Sequence, residues 1–125
     1  MNSTKQSAIK AAKRFLELKG FEIIDESWAR SDLAGGIDIV ASDLGEVVFV
    51  NVTPGDVDRD AGFREEPLSN EQFELLAVTW LGEHIERLES DFPVRLDRIS
   101  VLMLSESRAV IRHHVNAVTG PFASM

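Results

Sequence analysis

Residues 35–55, GGIDIVASDLGEVVFVNVTPG, constrain this chain more than any other stretch. Two apolar, β-branched runs, residues 37–41 and 47–53, flank a short turn around Asp43 and Gly45. Runs of this length bounded by glycine and aspartate predict a hairpin of buried strands. One carboxylate, Asp38, falls inside the first run, where an unpaired charge is costly and calls for a partner. Side chains alternate along a strand, so Phe49, Asn51 and Thr53 share one face while Val48, Val50 and Val52 share the other. The second strand therefore ends in two neutral polar side chains.

The rest of the chain falls into alternating helical and extended patterns. Residues 4–19 form an amphipathic helix, with Ala8, Ile9, Ala12, Phe15, Leu16 and the stem of Lys19 on its apolar stripe. Ser3 or Thr4 caps its start and Gly20 stops it. Residues 21–24 alternate as a strand leading to Trp28. Pro54 is expected to end the hairpin, since proline has no donor for a sheet ladder. Residues 54–68 are polar and bounded by prolines, which predicts a mobile loop. Ser69 and Gln72 have capping-box spacing and open a second helix, whose buried stripe is Phe73, Leu76, Ala77, Trp80, Leu81, His84 and Leu88. Residues 96–104 and 108–115 complete the pattern as two strands. The order αβββαββ predicts an α/β sandwich, a mixed sheet of about five strands flanked by two helices. One domain over residues 1–118 is expected, with a flexible tail at 119–125.

Charge bounds the function. The chain of 125 residues has 21 acidic and 13 basic side chains and a net charge of −8. Residues 1–20 carry +4 and the remaining 105 carry −12. An acidic body repels a phosphate backbone, so broad duplex binding is disfavoured and any nucleic-acid contact falls to Lys5, Lys10, Lys13 and Arg14 in the first helix. The absence of cysteine excludes disulfides and thiolate zinc sites. No uncharged apolar run reaches the roughly 20 residues of a membrane span, and the N-terminus lacks a signal-peptide core, so a cytoplasmic protein is the expectation.

The hairpin motifs Gly35-Gly36-Ile37-Asp38-Ile39-Val40 and Val48-Phe49-Val50-Asn51-Val52-Thr53, the helix before Gly20-Phe21, and Arg95-Leu96-Asp97-Arg98-Ile99 together resemble the YraN family of bacterial proteins. The resemblance spans roughly residues 4–118 and implies a restriction-endonuclease-like fold of the PD-(D/E)xK nuclease superfamily. It implies that Asp38 matches a metal-binding aspartate, that Asn51 stands where the second metal-binding acid would be, and that Thr53 stands where a lysine would be. Gly36 replaces a glutamate, Ile9 a first-helix glutamate, and Ser69 or Glu71 a lysine.

These replacements remove the means of phosphodiester hydrolysis. Magnesium is held by carboxylates plus substrate phosphate, and it activates water while neutralising the transferring group. An asparagine oxygen supplies no anion, and a threonine supplies neither cation nor base. Each such electrostatic group is worth about 10²–10³ in rate, so the set Asp38, Asn51 and Thr53 reads as a vestigial site. Asp38 is the remaining candidate metal ligand; its alternative reading is a sheet-end carboxylate bonded to backbone donors or to Asn51. Asn51 and Thr53 are expected to satisfy each other. The rival is a magnesium-dependent nuclease whose missing acid is supplied by Glu65, Glu66, Glu71 or Glu74 and whose cation comes from Arg59 or Arg64. Residues 56–60 imitate half a calcium loop but lack its glycine and its closing glutamate. His113 and His114 fall on opposite strand faces and cannot chelate together. The expectation is a binding module without cofactor, taking a protein partner or a second copy of itself before a nucleic acid.

Overall fold

The structure is a computed structural model that describes residues 3–56, 68–84, 93–105 and 107–118. Helix α1 (Ser3–Leu18) stops where the sequence places its glycine. Gly20 has φ +97°, and the bonds Gly20 N–H to Glu17 O (3.0 Å) and Phe21 N–H to Leu16 O (2.9 Å) form a Schellman cap that turns the chain into the sheet.

Strands β1 (Glu22–Ala29), β2 (Gly36–Asp43) and β3 (Glu46–Asp56) make an antiparallel meander. Helix α2 (Asn70–His84) follows, then β4 (Val94–Ser105), which pairs parallel to β3, and β5 (Arg108–His114), which pairs antiparallel to β4. The sheet order is β1-β2-β3-β4-β5. The parallel pair is the one whose strands are separated by a helix, as parallel pairing requires. The expected αβββαββ order and mixed five-stranded sheet are the observed architecture. The proposed tail at 119–125 and most of the 54–68 loop lie outside the described residues.

Both faces of the sheet are covered. On one, Ala8, Ala12 and Leu16 of α1 are fully buried against Ile39, Ala41, Val48, Val50, Val52, Ile99 and Val101. On the other, Phe73, Leu76, Ala77 and Trp80 of α2 pack on Ile37, Val40, Val47, Phe49 and Leu96. The capping box at α2 forms as expected, with Gln72 N–H donating to Ser69 Oγ (3.1 Å) and Ser69 N–H to Gln72 Oε1 (3.2 Å). Trp80 sits edge-on to Phe49, ring centroids 5.5 Å apart, and its buried indole N–H donates to Asp25 Oδ2 (2.9 Å).

Pro54 does not end its strand. It lies within β3, opposite Val101 of β4, and pairing continues to Asp56 and Met103. The physical reason is its parity. Along a strand the backbone groups of successive residues point to alternate neighbours; the Val47 N–H donates to Pro93 O on the β4 side (2.9 Å) and the Val52 N–H to Asp38 on the β2 side (2.7 Å). Pro54 therefore faces the β2 side, where the ladder has already stopped, and its missing N–H leaves no gap toward β4.

Candidate functional site

The β2–β3 ladder ends at the pair Ile39 and Val50, two residues before the register would bring Ile37 opposite Val52. Alternation also breaks there, since Ile37 joins the α2 cluster while Ile39 joins the α1 cluster. Asp38 occupies the break. Its Oδ2 accepts the Val52 N–H at 2.7 Å, the Asn51 amide at 3.3 Å and the Lys5 ammonium at 3.1 Å. Lys5, from the first turns of α1, also donates to the Val52 carbonyl. The carboxylate and the ammonium thus take over the two backbone groups of Val52 that β2 no longer reaches, as the pairing of backbone polar groups demands.

On its other side Asn51 is engaged by β4. Arg98 Nη1 donates to Asn51 Oδ1 at 2.9 Å, while Nη2 donates to the Leu68 carbonyl (2.9 Å) and to Asn70 Oδ1 (2.8 Å) at the start of α2. The guanidinium lies 5.3 Å from the Phe73 ring centroid. Burial pushes the Arg98 pKa down from its ordinary value, yet an arginine holds its charge at neutral pH. The result is a continuous chain, Lys5 to Asp38 to Asn51 to Arg98 to the head of α2, with two cations against one anion.

This donor set does not fit magnesium. A hard cation needs oxygens free to coordinate. The Asn51 oxygen faces a guanidinium, and Asp38 Oδ2 already takes three hydrogen-bond donors. Among the described residues, no three Asp, Glu or His side chains are placed to hold a metal ion together.

The sequence-derived candidates separate here. Asp38 and Asn51 meet; Thr53 stands apart. The expected Asn51–Thr53 pair does not form, because both ends of the Asn51 amide are engaged elsewhere, its nitrogen by Asp38 and its oxygen by Arg98. Of the four cations assigned to nucleic-acid contact, Lys5 is committed to Asp38 and Lys13 to Glu26 at 2.9 Å, an ion pair that raises the Lys13 pKa chiefly through its hydrogen bond to Glu26. Glu71 is exposed in the first turn of α2. Glu74 is partly buried, with an Oε2 that makes no hydrogen bond. Glu65, Glu66, Arg59, Arg64 and Leu88 lie outside the described residues.

The expected shortage of cations is corrected by the structure, since Lys5 and Arg98 both reach the site. Neither carried a local signal. Their partners are 33 and 47 residues away in sequence, and only helix docking and strand register bring them in.

A second polar cluster escaped the reading of the sequence. Asp97 of β4 is fully buried. Arg95 grips it with Nε on Oδ1 (2.9 Å) and Nη2 on Oδ2 (3.0 Å), His113 Nε2 lies 2.7 Å from Oδ2, and the Asn116 N–H donates to Oδ1 (2.8 Å). Lys19 Nζ stands 3.1 Å from His113 Nδ1. An ammonium only donates, so Nδ1 accepts and Nε2 carries the hydrogen toward Asp97. Burial alone would raise the Asp97 pKa; the bonds from His113, Arg95 and Asn116 outweigh it and hold the carboxyl below its ordinary range. For Arg95 burial pulls downward, and Asp97, Glu46 and Asp43 together raise it. An acid inside an apolar strand was the available clue, the same one that drew attention to Asp38.

A mixed five-stranded sheet between two helices, with a carboxylate where the β2–β3 hairpin opens, defines an α/β sandwich consistent with a restriction-endonuclease-like architecture. Within that class the chain belongs to the family described as Uncharacterised protein family UPF0102, whose model matches residues 10–101. This is the YraN family that the hairpin motifs resemble. The chain is similar to a UPF0102 protein of Roseiflexus castenholzii (strain DSM 13941 / HLO8), 33% identical over 107 residues, which cover 83% of this chain and 82% of that relative. Asp38, Asn51, Thr53 and Arg98 fall inside the family match; Lys5 precedes it. No described helix is long and apolar enough to cross a membrane.

Proposed function

We propose that this chain is a noncatalytic member of the restriction-endonuclease-like superfamily, a binding module in which the metal position has become a structural bridge. One observation carries the reading: the Lys5 ammonium sits 3.1 Å from Asp38 Oδ2 and pairs with the acid that the resemblance assigns to a metal. Arg98 on Asn51 supports it from the other side. The net charge of −8 favours a protein partner or a second copy of the chain over a nucleic-acid duplex.

The test is incubation of single- and double-stranded DNA and RNA with the full chain and Mg²⁺ or Mn²⁺. The expected result is no cleavage above that of Asp38→Asn. Cleavage that Asp38→Asn abolishes, in a variant that melts cooperatively, overturns the proposal. A calorimetric titration with Mg²⁺ is expected to give no heat of binding at millimolar concentration.

A second reading draws on Glu74. Its unbonded, buried Oε2 is an acid with coordination capacity left over, the feature a nuclease with relocated acids would use. Cleavage lost on Glu74→Gln would select this reading.

A further inference from the structure

Beside α1, on the side of the helix away from Lys5, a groove of about 560 Å³ opens against the β4–β5 turn. Ser7, Lys10 and Arg14 line it from the helix, spaced three and four residues apart on one side. Ser107 and Arg108 line it from the turn, and Met103 contributes to its apolar floor. Three cations therefore converge on a protein that carries 21 acidic side chains. Unlike Lys5 and Lys13, none of the three makes an ion pair with an acid among the described residues. Like charges four apart on a helix repel, and the first turn of α1 holds no acid.

We propose that this groove binds a phosphate-bearing ligand, its terminal phosphate or diphosphate held between Lys10, Arg14 and Arg108. Arginine forks match phosphate oxygens in pairs, and the two serine hydroxyls add neutral donors. The volume falls within the range of small-molecule sites. A phosphate concentrates its charge in one small group, so it fills the groove while the rest of the ligand avoids the acidic body. A longer strand or an acidic peptide would extend its negative charges across that body. Among the described residues, no aromatic side chain lines the groove as a base-stacking platform. The inference goes beyond the noncatalytic reading and does not depend on Asp38.

Calorimetric titration of the full chain at 150 mM NaCl with pyrophosphate, ADP, a ten-nucleotide single strand and a poly-glutamate peptide tests it. The expected result is one saturable site for pyrophosphate and ADP, weakened about tenfold by Arg14→Ser and again by Arg108→Ser, the loss of about one charged hydrogen bond each. Arg112→Ser is the control, because it removes the same charge from a β5 residue that is not among those lining the groove. Tighter binding of the oligonucleotide with the same arginine dependence supports the phosphate site and identifies a strand as its source. Absence of binding to every phosphate, equal binding of poly-glutamate, or equal weakening by Arg112→Ser overturns it. None of these outcomes bears on metal binding at Asp38, so the two proposals stand or fall separately.

Discussion

Lys5 and Asp38, thirty-three residues apart, together bind the backbone of Val52 where β2 and β3 separate. The acid takes the N–H and the ammonium takes the carbonyl. A charge that looks like a catalytic remnant in the sequence is a splice in the sheet.

Removing either partner is therefore expected to destabilise the fold. Asp38→Ala leaves the Val52 N–H and the Lys5 ammonium without their acceptor, a loss of about 2–3 kcal/mol. Lys5→Met costs about 1–2 kcal/mol because the lysine keeps partial access to water. In a double-mutant cycle by urea denaturation the pair is expected to show a coupling of about 1 kcal/mol. A carboxylate held only for metal binding would leave stability unchanged or improved when removed.

Restoring the second acid alone is expected to fail. In Asn51→Glu the new carboxylate meets Arg98, which already lies 2.9 Å from the asparagine oxygen, and the ion pair consumes the charge meant for a metal. Calorimetry should detect Mg²⁺ binding only when Lys5→Met and Arg98→Met are added. Micromolar Mg²⁺ affinity in Asn51→Glu by itself would contradict the geometry.

Gly36 resists restoration for a different reason. A Cβ built there falls 2.8 Å from the Trp28 carbonyl oxygen and 3.3 Å from the Ala29 Cβ. Because the obstacle is backbone of the paired strand, β1 must move. Gly36→Ala and Gly36→Glu should each lower stability by about 1–3 kcal/mol, read as a fall in melting temperature. An unchanged melting temperature would show that β1 yields freely.

The acid limb of stability should belong to Asp97. Its folded-state pKa is depressed, so the unfolded chain binds the proton first as pH falls. The stabilisation is fully present above the unfolded value near 3.9 and is lost as pH drops through the lower folded value. Asp97→Asn should cost about 1–3 kcal/mol at pH 7, because Arg95 and His113 lose their buried anion while Arg95 keeps Glu46 at 2.9 Å. Its deficit relative to the parent should shrink below about pH 4, followed by urea denaturation from pH 7 downward. A deficit constant across that range would assign the acid transition to another group.

Local features of the fold were legible because they depend on short-range chemistry. Gly20 marked the helix stop, Ser69 and Gln72 marked the capping box, and the valine runs marked β2 and β3. Pro54 was misread because its tolerance depends on which neighbouring strand has already ended. At the site, Asp38 and Asn51 stood out as polar residues in apolar strands. Arg98 was visible in its motif without a role, and Asp97 and His113 gave no sign of meeting 2.7 Å apart.

By itself the sequence determined the element order and the two apolar stripes, since periodicity and residue type act over a few neighbours. Only the tertiary structure decided what surrounds Asp38 and Asn51. The docking of α1 delivers Lys5 to Asp38, and the parallel register sets Arg98 beside Asn51. Those pairings link distant parts of the chain, and their energy exists only once the helices have closed over the sheet and excluded water.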